Sequence, residues 1–228
     1  MTSENIFALT NVTVGYGSTA VLTQVNWTIE RGQSWYVIGR NGSGKSTLLA
    51  TMLERLPLIA GRLQRSSQLV MGSVPQHCRL ANNIPVTIRE FVGFGLFSKS
   101  RSERQLRVTQ ALDRCGLQSV ANSQVWRVSG GQRRRAMIAQ SLALQPNVLA
   151  LDEPCAGLDA TAEQELLALI DQLRADGVTI IYITHDLLLA AGQSHRVALI
   201  ANGTLQEINP MMCCINGAPA TTAVTGDV

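Results

Sequence analysis

Residues 39–47 read Gly39-Arg40-Asn41-Gly42-Ser43-Gly44-Lys45-Ser46-Thr47. This is the spacing G-x-x-x-x-G-K-[ST], which suits a polyphosphate. The glycines let the backbone curl until successive N–H groups converge on phosphate oxygens. A helix starting near Lys45 would aim its positive end at the same point. The Lys45 ammonium then offers a point charge to the outer phosphates, and the Ser46 hydroxyl a ligand for Mg²⁺. The apolar run SWYVIG (34–39) precedes the loop and KSTLLATMLERL follows it, a buried strand and a helix in the order such a cradle requires.

A second set of chemical groups ends another apolar run, Val148-Leu149-Ala150-Leu151-Asp152-Glu153-Pro154. A strand here delivers two carboxylates at its C-terminal end, where ligands sit in open α/β sheets. Neighbouring strand residues point opposite ways, so the two acids can take separate roles. Asp152 is placed to hold Mg²⁺ and Glu153 to polarise an attacking water as general base. The pair is a weak signal alone. It gains weight from the phosphate loop about a hundred residues upstream.

The elements that must position these groups can be read in outline. The first 30 residues alternate, with Val25, Trp27 and Ile29 on one face, which fits a two- or three-stranded antiparallel piece. LVMGSV (69–74) is the next strand. Residues 85–117 change texture to two or more helices, with Pro85 before the first and Ser100 and Glu103 at capping-box spacing ahead of the second. Val108, Leu112 and Cys115 mark that helix's buried stripe. This is an inserted helical lobe of about residues 77–145.

Helix–strand alternation then returns. A helix over 131–145 leads into the strand that ends in Asp152. A helix over 161–175 follows, with Leu166, Leu167, Ile170 and Leu173 on one face and Gly177 at its end. Next comes the strand VTIIYIT (178–184). RVALIA and TLQEI flank Asn202-Gly203, a strong hairpin signal. The expected architecture is α/β: a mostly parallel sheet covered by helices, an N-terminal antiparallel β subdomain and the inserted α-helical subdomain. The domain spans 1–210, and residues 211–228 form a tail expected to lack order. No internal repeat occurs.

Composition excludes several classes. The 228 residues are 46% hydrophobic and 15% charged, which suits a globular chain and not a disordered one. A net charge of +3 is too small to suggest a nucleic-acid partner. The dense basic run Arg133-Arg134-Arg135 reads as a solvated helix face, or as an answer to a partner's acidic residues or to a nucleotide's charge. The five cysteines, Cys78, Cys115, Cys155, Cys213 and Cys214, are odd in number and irregular in spacing, so they read as reduced thiols. The N-terminus carries no signal-peptide pattern, and no apolar run approaches the roughly 18 residues that cross a membrane.

Phosphate loops serve many enzymes, and the segment Ser129-Gly130-Gly131-Gln132 discriminates among them. It resembles the signature motif Leu-Ser-Gly-Gly-Gln of the ABC (ATP-binding cassette) ATPases, with Val128 in place of leucine. The resemblance runs over about residues 6–208. Independently of it, Ser-Gly-Gly opening a helix makes a second anion-facing helix start. The resemblance implies that two subunits, most simply two copies of this chain, pack head to tail around ATP and Mg²⁺. Ser129, Gly130, Gly131 and Gln132 then act in trans on the nucleotide held by Gly39, Asn41, Gly42, Ser43, Gly44, Lys45, Ser46 and Thr47 of the other subunit.

Further positions match the family. Tyr16 resembles the aromatic that stacks on adenine, though a turn tyrosine would look the same. Gln76 looks like the glutamine that touches Mg²⁺ and water and senses the membrane partner. Asp159 resembles the aspartate that crosses the dimer interface, and His185 the histidine that contacts the γ-phosphate. Glu153 and His185 are 32 residues apart with one helix and one strand between, consistent with adjacent strands bringing them to one site. Cys155-Ala156-Gly157 departs from the usual residues after the carboxylates.

The resemblance implies an ATPase on the cytoplasmic face of a membrane, driving a separate permease and served by a substrate-binding protein. The segment Pro85-Val-Thr-Ile-Arg-Glu-Phe-Val-Gly-Phe-Gly has the texture of importers of metal ions or metal chelates. The alternatives are a family ATPase without a transport role (cluster assembly, division or repair) and a nucleotide kinase. The kinase would leave Ser129–Gln132 and His185 without work.

Overall fold

Residues 4–76, 84–186, 189–190 and 196–210 are described by a computed structural model. Residues 77–83 of the expected lobe, Cys78, the tail 211–228 and Cys213 and Cys214 lie outside the described residues. In chain order the elements are β1 (Asn5–Tyr16), β2 (Thr19–Glu30), β3 (Ser34–Ile38), α1 (Lys45–Met52), β4 (Ala60–Arg65), β5 (Met71–Val74), α2 (Ile88–Val92), α3 (Arg101–Arg114), α4 (Gly130–Leu142), β6 (Val148–Asp152), α5 (Ala160–Ala175), β7 (Thr179–Thr184), β8 (Arg196–Ala201) and β9 (Thr204–Ile208).

Two sheets result. One is antiparallel with strand order β2-β1-β4; the other runs β5-β6-β7-β3-β8-β9. The second is parallel apart from the β8–β9 hairpin, whose turn residues Asn202 and Gly203 both have positive φ, as a two-residue hairpin requires. Side-chain alternation divides the interior in two. Tyr36, Ile38, Leu149, Leu151, Ile180 and Tyr182 face a core shared with α2–α5. Trp35, Val37, Val148, Ala150, Ile181 and Ile183 face the other core, shared with α1 and the antiparallel sheet. The parallel strands are therefore buried on both faces, which explains their nearly continuous apolar sequence.

Strand β4 was not foreseen. AGRLQR carries one half-buried apolar residue, Leu63, on an edge strand, so period-2 patterning is absent. Helix α1 stops at Met52, short of the helical stretch expected from KSTLLATMLERL. Its C-cap Leu53 leaves the helical region and Glu54 has φ +58. Arg65 of β4 donates to the carbonyls of Thr51 and Met52, satisfying helix-end acceptors.

Helices α2 and α3 lie between β5 and β6 in sequence, as expected for the inserted lobe. At the expected Ser100–Glu103 cap of α3, Ser100 accepts from the Glu103 N–H at 3.2 Å; the reciprocal box forms instead on α2, between Thr87 and Glu90, where none was foreseen. Val108, Leu112 and Cys115 are buried. On α5, Leu166, Ile170 and Leu173 are buried as expected; Leu169 joins them and Leu167 is only half-buried.

Candidate active site

Strand β3 ends at Ile38 and the phosphate loop turns from it into α1. Glycine is obligatory where the loop touches its neighbours. A Cβ on Gly39 would stand 2.6 Å from the Ile200 carbonyl oxygen of β8. Gly44 has φ +106, and a Cβ there would stand 2.8 Å from Val21 of β2. Helices α2–α5 all carry a Thr, Ser or Asp side chain capping their first turn; α1 begins at Gly44 with none. Its first N–H groups are thus left for an anion. The Ser43 hydroxyl is buried with no hydrogen-bond partner among the described residues.

Lys45 is buried, and its ammonium donates to the carbonyls of Gly39 at 2.7 Å and Arg40 at 3.0 Å. Burial pulls its pKa below the ordinary lysine range, against the opposing pull of Glu153 and Asp152. An uncapped helix start, an orphaned hydroxyl and a desolvated ammonium together fit a phosphate chain.

Across the loop, Asp152 closes β6. Its Oδ2 lies 3.4 Å from the Ser46 hydroxyl. Burial raises its pKa, with the Ser46 hydrogen bond opposing. A hydroxyl and a carboxylate facing each other at this distance are hard oxygen donors of the kind Mg²⁺ takes, and both carboxyl burial and the neighbouring phosphate cradle favour a cation there.

Glu153 leaves the strand at φ +45, a costly conformation for a non-glycine residue. Its N–H still pairs with the Ile183 carbonyl at 2.9 Å, so β7 fixes where it turns. Its carboxylate is held at both oxygens: Gln76 Nε2 donates to Oε2 at 3.1 Å, and His185 Nδ1 lies 2.9 Å from Oε1. Contact with a carboxylate places the proton on Nδ1 and leaves Nε2 pointing away from Glu153. Gln76 follows β5 and His185 follows β7, the two strands that flank β6. Adjacent parallel strands therefore bring Gln76, Asp152, Glu153 and His185 to one edge with Lys45 and Ser46.

Ser129, Gly130, Gly131, Gln132 and Asp159 form a second cluster. Ser129 caps α4: its Oγ accepts from the Gln132 N–H at 3.1 Å, while Gln132 Oε1 accepts from the Ser129 N–H at 3.1 Å. The Ser129 hydroxyl keeps its own proton available to donate outward. Gly131 packs so closely on α5 that a Cβ would stand 2.8 Å from Ala162 Cβ. Asp159 caps α5 by accepting from the Ala162 N–H at 2.9 Å. Tyr16 ends β1, pairs with Thr19 and is 60% exposed, an open ring on the hairpin whose strand β2 touches Gly44.

The arginine run is not a solvated face. Arg133 lies over the Trp126 ring at 4.6 Å and donates to the carbonyls of Val125 and Val128. Arg135 pairs with Glu165 of α5 at 3.3 Å. Arg134 is buried and donates to the carbonyls of Pro75 at 3.1 Å and Gln76 at 2.8 Å. Three consecutive residues on a helix point in three directions, and each meets a different part of the fold. A sequence reading had one clue to this: Arg134 and Ser141 stand seven residues apart, on one face of α4.

The pattern of the ABC transporter family matches residues 22–156. The zinc import ATP-binding protein ZnuC of Cereibacter sphaeroides is 33% identical over 222 residues, 97% of this chain and 88% of that protein. That of Marinobacter nauticus is 35% identical over 214 residues, 93% and 77% of the two chains. The chain belongs to the ABC transporter family. Solved structures agree with the assignment. An inward-facing metal-chelate type ABC transporter superposes with a TM-score of 0.83 at 25% identity, over 92% of this chain and 85% of that one. The cbiO1 part of the ABC transporter complex cbiONQ from Clostridium perfringens gives 0.81 at 27% identity, over 92% and 90%. As an ABC ATPase the chain is an ATP-hydrolysing subunit that works with membrane-embedded partners. Among the described residues no helix is long and apolar enough to cross a membrane.

Proposed function

We propose that this ABC ATPase powers import of a metal ion or metal chelate through a separate permease, and that Glu153 is the general base for ATP hydrolysis. The observation that carries the catalytic part is the two-sided grip on Glu153 by Gln76 and His185 beside the Lys45 loop. In this reading the Lys45 ammonium exchanges the Gly39 and Arg40 carbonyls for phosphate oxygens. The α1 N–H groups receive the remaining phosphate charge. Ser46, Asp152 and Gln76 are the residues that would hold Mg²⁺, which would supply positive charge against the phosphates. Glu153 takes the proton of the attacking water, and His185 steadies the carboxylate in the orientation that accepts it. Tyr16 stacks on adenine.

The second cluster belongs, in this reading, to the other nucleotide of a homodimer. Ser129, Gly130, Gly131, Gln132 and Asp159 face the partner's ATP. The helical lobe, taken as about residues 77–145, receives the permease on the cytoplasmic side of the membrane, and a substrate-binding protein delivers cargo. Support for the cargo comes from the zinc-import names of the relatives and the metal-chelate structure, together with the texture of residues 85–95. The test is metal uptake in cells whose only copy of the chain is Glu153→Gln. Loss of zinc, manganese or iron-chelate accumulation supports the proposal. Unchanged uptake of all of them, with ATP hydrolysis abolished, refutes the cargo.

A further inference from the structure

Arg134 stands outside the catalytic set, yet it is the most elaborately placed charge on α4. A guanidinium is among the groups least tolerated in an interior, and this one is only 8% exposed. It reaches across from the fifth position of α4 to the strand-end that carries Gln76, where one nitrogen, Nη1, donates to two successive carbonyls, Pro75 at 3.1 Å and Gln76 at 2.8 Å. Two turns further along the same face of α4, the Ser141 hydroxyl donates to the Ser73 carbonyl of β5 at 3.1 Å.

The two clamps are in register. Seven helical residues rise about 10.5 Å, and the three steps from Ser73 to Gln76 span about 10 Å of extended chain. Helix α4 thus lies along β5 and its continuation, tied at both ends. From Arg134 the connection continues in bonds already described: Gln76 Nε2 donates to Glu153 Oε2 at 3.1 Å. In the other direction, Arg134 follows the Ser129–Gln132 cap by two residues on the same helix.

We propose that Arg134 is a positioning residue that fixes the backbone at Gln76 and so sets the Gln76 side chain against the catalytic base. The signature helix and the Gln76 segment then move as one body, and a displacement of Ser129–Gln132 shifts the donor that orients Glu153. Loss of the guanidinium frees two carbonyls and lets Gln76 drift. Misplacement near 1 Å beside a reacting group is enough to slow chemistry about a hundredfold. The inference rests on the reading of Glu153 as base.

The experiment is a double-mutant cycle on the ATPase of the full chain. Arg134→Met removes the donors and Arg134→Lys keeps a charged donor; each is made alone and with Gln76→Ala, which retains the Gln76 carbonyl and loses only its amide. Expected for Arg134→Met alone is a fall in kcat of about 10- to 100-fold with KM for ATP nearly unchanged, Arg134→Lys falling less. In the Gln76→Ala background both substitutions leave kcat at the Gln76→Ala value. If Arg134→Met does not fold, the Arg134→Lys arm decides by the same criterion. Multiplicative losses in the double variants, or a full kcat with only a lowered Tm, overturn the proposal and leave Arg134 a packing residue. Glu153→Gln is assayed alongside: full turnover there would refute the base itself, whereas its loss with an unaffected Arg134→Met refutes only the positioning role.

Discussion

The two signature glycines stand one residue apart but have different physical reasons to be glycine. A Cβ on Gly131 would lie 2.8 Å from Ala162 Cβ, whereas one on Gly130 would lie 3.8 Å from Leu158 Cδ2, an ordinary contact. Carbon atoms rest at about 3.5–4.0 Å, so Gly131→Ala must push α4 away from α5 by roughly 0.7–1.2 Å or distort the Asp159 turn. Overpacking of this kind costs about 1–3 kcal/mol. Helix propensity returns about 1 kcal/mol to either alanine. Gly130→Ala should therefore be as stable as the parent or slightly more so, and Gly131→Ala about 1–3 kcal/mol less stable than Gly130→Ala. For a domain of this size that is a Tm lower by about 2–12 °C. Equilibrium urea unfolding with parallel thermal melts measures it. Activity should invert the order of interest: if the signature faces a partner's nucleotide as proposed, Gly130→Ala folds well but loses ATPase, because its new methyl would stand in that contact. Equal stabilities for the two variants would refute the close-approach argument, and a fully active Gly130→Ala would refute the trans site.

Ser129→Asp keeps an N-cap as good as serine and adds charge that the helix start favours. Its melting temperature should match or exceed the parent's while ATP-dependent dimerisation, followed by size-exclusion chromatography, disappears; a variant that still dimerises on ATP would contradict the placement of Ser129. Cys115 is buried and its pKa is pushed up to about 12 from 9.0, burial being the main cause. A raised native pKa means this thiol's contribution is fully present below pH 9 and lost as pH rises toward 12. The chain should lose on the order of 1 kcal/mol between pH 8 and pH 10 from this group. Cys115→Ala should shrink the measured difference by that amount in urea titrations at the two values, and an unchanged difference would show that the thiol ionises freely. Arg134→Met, in the cycle described above, should lower kcat with little change in KM.

The residues that the fold gathers at the candidate site were legible because most of them are written in short contiguous runs. The phosphate loop, the Asp152-Glu153 pair and the Ser129–Gln132 start each declare themselves by residue type and spacing. The parallel strands were legible because burial on both faces makes them uniformly apolar. Strand β4 was not, since an edge strand with one half-buried leucine carries no period. The early end of α1 was not, because the residues that stop it, Glu54 in a left-handed conformation and Arg65 from a distant strand, leave no local mark. The arginine run misled for a related reason. Three adjacent charges suggest solvent, but the partners that absorb them, Trp126, the Pro75–Gln76 carbonyls and Glu165, are assembled only by the tertiary fold.

The central claim is that Glu153, gripped by Gln76 and His185, activates water for ATP hydrolysis between two chains. The most direct measurement is the Glu153→Gln variant with ATP and Mg²⁺, following phosphate release and oligomeric state in one sample. The account predicts retained ATP binding, turnover reduced at least about a hundredfold, and accumulation of a dimer that the parent forms only transiently. Parental turnover by a monomer would contradict it.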